Sequence, residues 1–367
     1  MHGDDFLDRK LYERISGNFL RSLVVREGLT DFCSNDYLGI STNYLLQPYF
    51  SGEEKHGSRG ARTLAGNYRL MEETEQLIGD FHQSEAALIF NSGYAANTGL
   101  IQAVAQRGDV ILYDSLAHAS IRDGVRLSFA ASYSFSHNDM DDLEQKIKTL
   151  HPTFPNQLFV VTESVFSMDG DKAPIENLVS LCEKYGAHLI VDEAHAIGVI
   201  GENGEGLVQS AGLNKKVFAR VYTYGKAPGA HGAAVCGSQK LKSYLINFAR
   251  SFIYTTALPE SAVRAIQAGY QVFPDMKQER QHLHSLIRTF QESELAFEKL
   301  QSETAVQGVI VPGNGEVKSL ASKLLDNGLD VRPILYPSVP KGKERLRISL
   351  HAFNTFEELD KLIALLK

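Results

Sequence analysis

HLIVDEAH, residues 188–195, is the stretch from which the rest of the chain can be read. HLIVDEA (188–194) begins with an apolar run too short for a helix and is closed by an acidic residue, so it predicts a buried strand. An aspartate at the carboxyl end of such a strand is costly to bury unless a cation faces it. Taken alone, Asp192 could equally be a helix cap or a metal ligand, and His195 a structural histidine.

Outward from this segment the pattern repeats. AALIF (86–90), VILYD (110–114) and LFVVTES (158–164) are further short apolar runs bounded by Gly, Asp or Asn. Helical patterns such as MDDLEQKIKTL (140–150) and IENLVSLCEKYG (175–186) lie between them. Alternation of this kind predicts an α/β fold: a mostly parallel central sheet with helices on both faces and functional residues at the carboxyl ends of the strands. Residues 1–40 read as an amphipathic helical lead-in (FLDRKLYERISGNFLRSLVV, 6–25) followed by an extended piece, DFCSNDYLG (31–39). A large domain is expected over 41–272. From about 273 a charged helical stretch, MKQERQHLHSLIRTFQESELAFEKL, leads to GVIVPG, KSLASKLLDNGLDVRPIL and ERLRISL, which predicts a smaller C-terminal α/β domain over 273–367.

With 367 residues, 43% apolar and 22% charged, the composition is that of a globular protein with more than one packed unit. A net charge of −7 and the lack of any Lys/Arg block argue against nucleic-acid binding. Cys33, Cys182 and Cys236 are too far apart for a CxxC metal site and too few for a disulfide framework. No metal is expected. No apolar run has transmembrane length, and the acidic start MHGDDFLDRK is unlike a signal peptide, so a cytoplasmic protein is expected.

TYGKAPGAHGAA (223–234) changes the reading of Asp192. It places Lys226 among Gly225, Ala227, Pro228 and Gly229, small residues that let another group approach. An amine in an apolar or cationic setting loses its proton readily enough to form an imine with an aldehyde. A buried carboxylate upstream and a loop lysine downstream form the pair that pyridoxal 5'-phosphate requires: the acid keeps the pyridine nitrogen protonated and the amine holds the aldehyde. NSGYAAN (91–97) follows a strand and opens a helix, where backbone N–H groups and the helix dipole suit a phosphate. DSLAHAS (114–120) sets His118 just past another strand end, where an imidazole can stack on a flat ring.

The order of these segments, together with SNDYLG (34–39), TESVFSMDGD (162–171), VDEAHAIGVIGENGEG (191–206), FIYTTALP (252–259) and YPSVPKGKERLRISL (336–350), resembles the α-oxoamine synthases. These are fold-type I pyridoxal-phosphate enzymes that join an amino acid to an acyl thioester with loss of carbon dioxide. The resemblance runs over nearly the whole chain. It implies that Lys226 is the lysine that carries the cofactor and moves the amino acid's α-proton, that Asp192 pairs with the ring nitrogen, that His195 bonds the phenolic oxygen and that His118 stacks on the ring. Gly93, Tyr94, Ser167 and Thr223 would line the cofactor. Thr255 and Thr256 would reach the phosphate from the other subunit of a homodimer. Arg347 would hold the amino-acid carboxylate, with Asn35 and Ser338 at the substrate end. FIYTTALP and the glycine before Lys226 are most similar to the subgroup that condenses L-alanine with a pimeloyl thioester into 8-amino-7-oxononanoate for biotin synthesis, while the same core also serves 2-amino-3-ketobutyrate ligase, serine palmitoyltransferase and 5-aminolevulinate synthase.

Several positions depart from the pattern. The stretch between Asp36 and Gly66 is short, Arg59 and Arg62 stand where Gly or Ser is common, and Pro228 replaces a larger apolar residue. For the arginine that meets the acyl substrate, Arg9, Arg14 and Arg21 are all candidates. Two rivals share the core residues: an aminotransferase on the same fold and a non-catalytic scaffold. A dinucleotide-binding oxidoreductase lacks its GxGxxG after the first buried strand.

Overall fold

In the computed structural model, which describes residues 4–150 and 156–367, every apolar run predicted as a strand is one. After the two-residue β1 (Thr30–Asp31) come β2 (Ala86–Phe90), β3 (Val110–Asp114), β4 (Ala131–Phe135) and β5 (Leu158–Glu163). These are followed by β6 (His188–Asp192), β7 (Ala219–Thr223) and β8 (Ala233–Gly237). β2–β8 form one seven-stranded sheet in the order β2-β8-β7-β6-β5-β3-β4. β8 is antiparallel to both neighbours and every other pairing is parallel, so six of the seven strands point the same way.

Alternate side chains of these strands feed two cores. Leu88, Ile111, Val161, Ile190 and Val221 pack with Leu100, Ile101, Ile121 and Val125 from the helices Gly93–Val104 and Ala119–Leu127. Leu112, Val160, Leu189 and Val191 pack with Leu143, Ile147, Leu178 and Cys182 from the helices Met140–Leu150 and Ile175–Tyr185. The strands are therefore buried on both faces and carry continuous rather than alternating apolar residues.

The described residues form two units. One holds 35–167 and 172–281; the other holds the N-terminal stretch through Ser34, 168–171 and 282–367. The smaller unit contains an antiparallel sheet in which β12 (Arg345–Ser349) lies between β9 (Val306–Ile310) and β11 (Arg332–Ile334). β1 pairs in parallel with β10 (Leu329–Asp330), and this pairing is why the N-terminal stretch belongs with the C-terminal part.

The lead-in is less helical than its pattern suggested. Its α-helix covers only Asp8–Ser16, because Gly17 and Asn18, the latter at φ 55°, stop it. Phe6, Leu11, Tyr12 and Ile15 are exposed. Among the described residues no helix is long and apolar enough to cross a membrane.

Candidate active site

Because β2, β3, β5, β6 and β7 are co-directional, their carboxyl ends share one edge of the sheet. Asp192 ends β6, and only 5% of it is exposed. Its two oxygens are held separately: Oδ2 accepts from Asn97 Nδ2 at 2.6 Å and Oδ1 from the Ala194 backbone N–H at 2.9 Å. Asn97 also donates to Ser120 Oγ at 3.0 Å. Three residues past Asp192, the buried His195 has Nδ1 2.7 Å from the Tyr37 hydroxyl, and that hydroxyl lies 3.1 Å from Asn35 Oδ1.

β7 ends at Thr223, whose buried Oγ1 has no hydrogen-bond partner among the described residues. Half-buried Lys226 follows in the loop to β8. Next to Thr223 lies the start of the helix Gly93–Val104: a Cβ on Gly93 would sit 2.4 Å from Thr223 Cγ2, so only glycine fits. Ser92 caps this helix, its side chain accepting the Ala95 N–H at 3.1 Å. The N–H groups of Gly93 and Tyr94, in the first turn, have no intrahelical acceptor. An orphaned hydroxyl and two open N–H groups converge there, as a phosphate requires.

His118 caps the helix Ala119–Leu127; its Nδ1 lies 2.8 Å from Ser120 Oγ. Burial lowers its pKa, Asp192 opposes that shift, and Lys226 reinforces it. Asp192 and Lys226 are thus close enough to His118 to act on its charge. Glu163, at the end of β5 and in register with Asp192, accepts the His118 backbone N–H at 2.6 Å. Burial, then the neighbouring Asp192, pushes its carboxyl up to about 8.

The remaining expected residues are placed as follows. Ser167 is half-buried in the turn after β5. Tyr94 donates its hydroxyl to Asp123 at 2.5 Å. Asn91 Nδ2 donates to Thr255 Oγ1 at 3.2 Å and to the Thr256 carbonyl at 2.8 Å within the same chain, and the Thr256 hydroxyl bonds Ser58. Arg347, Ser338 and Arg14 belong to the smaller unit. Arg347 is in β12 and donates to Ser349 Oγ at 2.9 Å. Arg14 lies over the Phe19 ring at 5.1 Å, Arg9 pairs with Glu13 at 3.4 Å, and Arg21 donates to Ser338 Oγ at 3.1 Å.

The sequence reading did not single out Asn97, Glu163 or Tyr37. Each lay inside a quoted motif, and position was the available signal: Asn97 one helical turn past Gly93, Glu163 at a strand end one residue short of Ser164, and Tyr37 beside Asn35.

The profile of the family Aminotransferase class I and II matches residues 27–366. An 8-amino-7-oxononanoate synthase of Lysinibacillus sphaericus is 39% identical over 366 residues, covering 98% of this chain and 94% of its own. Among solved structures, a serine palmitoyltransferase variant from S. paucimobilis with bound PLP–myriocin superposes with a TM-score of 0.86 at 25% identity, over 99% of this chain and 96% of that one. An 8-amino-7-oxononanoate synthase from Francisella tularensis gives a TM-score of 0.75 at 28% identity, over 93% and 97% of the two chains. With an acid, an amine and an anion cradle meeting at one sheet edge, the chain belongs to the class I and II aminotransferase family and, within it, to the pyridoxal-phosphate-dependent α-oxoamine synthases.

Proposed function

We propose that this chain condenses L-alanine with a pimeloyl thioester, on coenzyme A or a carrier protein, releasing carbon dioxide and free thiol and giving 8-amino-7-oxononanoate for biotin synthesis. The observation that carries the chemistry is the meeting of Asp192, Lys226, His118 and the Gly93–Thr223 cradle at one edge of the sheet. The choice of substrates rests on the likeness to 8-amino-7-oxononanoate synthases.

When bound, pyridoxal phosphate draws electrons from the α-carbon of the amino acid. The Gly93 and Tyr94 N–H groups and the Thr223 hydroxyl hold its phosphate, with Ser167 also lining it. Asp192, its two oxygens anchored by Asn97 and the Ala194 N–H, would pair with the ring nitrogen and favour its protonated form. His195, whose ring is set by the Tyr37 hydroxyl, would donate to the phenolic oxygen. His118 would cover one face of the ring. Lys226 would be the residue that holds the cofactor's aldehyde, and its amine would serve as the base for the α-proton of the amino acid. Arg347 is the candidate to hold the amino-acid carboxylate through a two-point fork, and Asn35 and Ser338 are further candidates for the substrate. Arg14, or else Arg9 or Arg21, meets the acyl group. The working form is a cytoplasmic homodimer with shared sites, a location supported by three free thiols.

Incubating the holoprotein with alanine, glycine or serine and pimeloyl, acetyl, succinyl or palmitoyl thioesters tests this reading. Alanine with pimeloyl thioester should release thiol and carbon dioxide together, with product of the expected mass. Brisk amino transfer from alanine to a 2-oxo acid without any thioester would overturn it in favour of an aminotransferase.

A further inference from the structure

Three buried carboxyls stand at neighbouring strand ends: Asp114 on β3, Glu163 on β5 and Asp192 on β6. Asp114 takes donors from His137 Nδ1 at 3.0 Å, the Leu116 N–H at 2.8 Å and the Asn138 N–H at 3.0 Å. Asp192 takes two, from Asn97 and Ala194. Glu163 is 3% exposed and, among the described residues, its carboxyl accepts a single hydrogen bond, from the His118 backbone N–H. Donors aimed at a carboxylate favour its charged form, and like charges side by side disfavour it. A shared proton in this cluster therefore falls to the member with the fewest donors.

We propose that Glu163 works as a neutral carboxylic acid, a positioning residue that fixes His118 through its backbone N–H beside the anchored carboxyl of Asp192. The groups facing Glu163 fit this assignment. They are Asp192 on β6 and Asp114 on β3, both of which disfavour a second anion, and Lys226 on the loop after β7 and the His118 N–H, which moderate that effect. The inference deepens the proposed function, since it takes His118 to lie against the cofactor.

The test begins with cofactor-free protein, so its failure is separable from failure of the proposed function. Glu163→Gln keeps an acceptor for His118 but has no proton to lose. The wild-type carboxyl holds its proton more tightly folded than unfolded. That contribution to stability is complete below about pH 4.5 and is lost as pH rises through about 8. The melting temperature of E163Q should therefore climb relative to wild type between pH 5 and 9; a difference that is flat or falls with pH overturns the proposal. In the holoprotein, Gln should retain about tenfold more kcat than Glu163→Ala, whereas equal losses would show that the His118 contact has no role. Should E163Q not fold, infrared titration of the wild type decides. Glu193, also buried and with its pKa raised by burial, is the control: an acid C=O band present at pH 7, bleached near pH 8 and surviving in Glu193→Gln supports a neutral Glu163, and its absence refutes it.

Discussion

Gly93 and Thr223 come from segments 130 residues apart, yet they meet so closely that one methyl group cannot be added between them. Gly93→Ala forces either the helix start or the end of β7 to move, and overpacking of this kind costs about 1–3 kcal/mol. Pyridoxal phosphate should then bind about 10–100-fold more weakly, as followed by absorbance titration of the cofactor-free protein, and the melting temperature of that form should fall by a few degrees. Tyr37→Phe tests a different contact. It removes the hydroxyl that bonds His195 Nδ1, leaving the imidazole in place without its fixed partner. A buried hydrogen bond of this kind is worth about 1–3 kcal/mol, so kcat/KM should fall about tenfold or more in a steady-state assay. Lys226, Asp192 and His118 were legible in the sequence because their neighbours form long, specific motifs. Tyr37 and Asn97 were not, because what matters about them is the partner: Tyr37 meets a histidine 158 residues away, and Asn97 an aspartate 95 residues away.

Among elements, the strands buried on both faces were easy to read and the others were not. β4, ASYSF, has four exposed residues on the sheet edge, so no apolar run marks it. β7 and β8 flank the lysine loop, and their small residues, such as Ala233 and Ala234, read as part of that loop although they pair across five register positions. The turn after β6 shows how a glycine-rich segment is made rigid. Gly198, Gly201, Gly204 and Gly206 all have positive φ, a conformation other residues adopt only with strain. Arg280, 4% exposed, ties the turn down by donating to the carbonyls of Glu202 at 2.6 Å and Gly198 at 3.4 Å, as well as Phe273 at 2.6 Å and Pro274 at 2.8 Å. Arg280→Met strands these carbonyls and should lower stability by about 2–4 kcal/mol, read from urea unfolding. Arg280→Lys should recover only part, since an ammonium lacks the planar fork.

At the scale of the whole molecule, the open question is whether one chain suffices for one site. Thr255 and Thr256 bond Asn91 and Ser58 of their own chain, yet the proposed role places them on the cofactor of a partner. Large apolar side chains such as Leu23, Val25, Leu64 and Phe129 are largely exposed in the single chain, the kind of surface that a second copy covers. Subunit mixing separates the two arrangements. Lys226→Ala and Thr256→Val should each be nearly inactive alone. If Thr256 serves the partner's site, a heterodimer of the two variants has one site with both defects and one with neither. Random reassociation of equal amounts should then recover about a quarter of wild-type turnover, because half the dimers carry one intact site of two. If Thr256 serves its own chain, each heterodimer site keeps one defect and mixing recovers nothing. Recovery near a quarter, together with a dimer in sedimentation, establishes the shared site; no recovery after verified exchange returns Thr256 to the Asn91 edge of its own sheet.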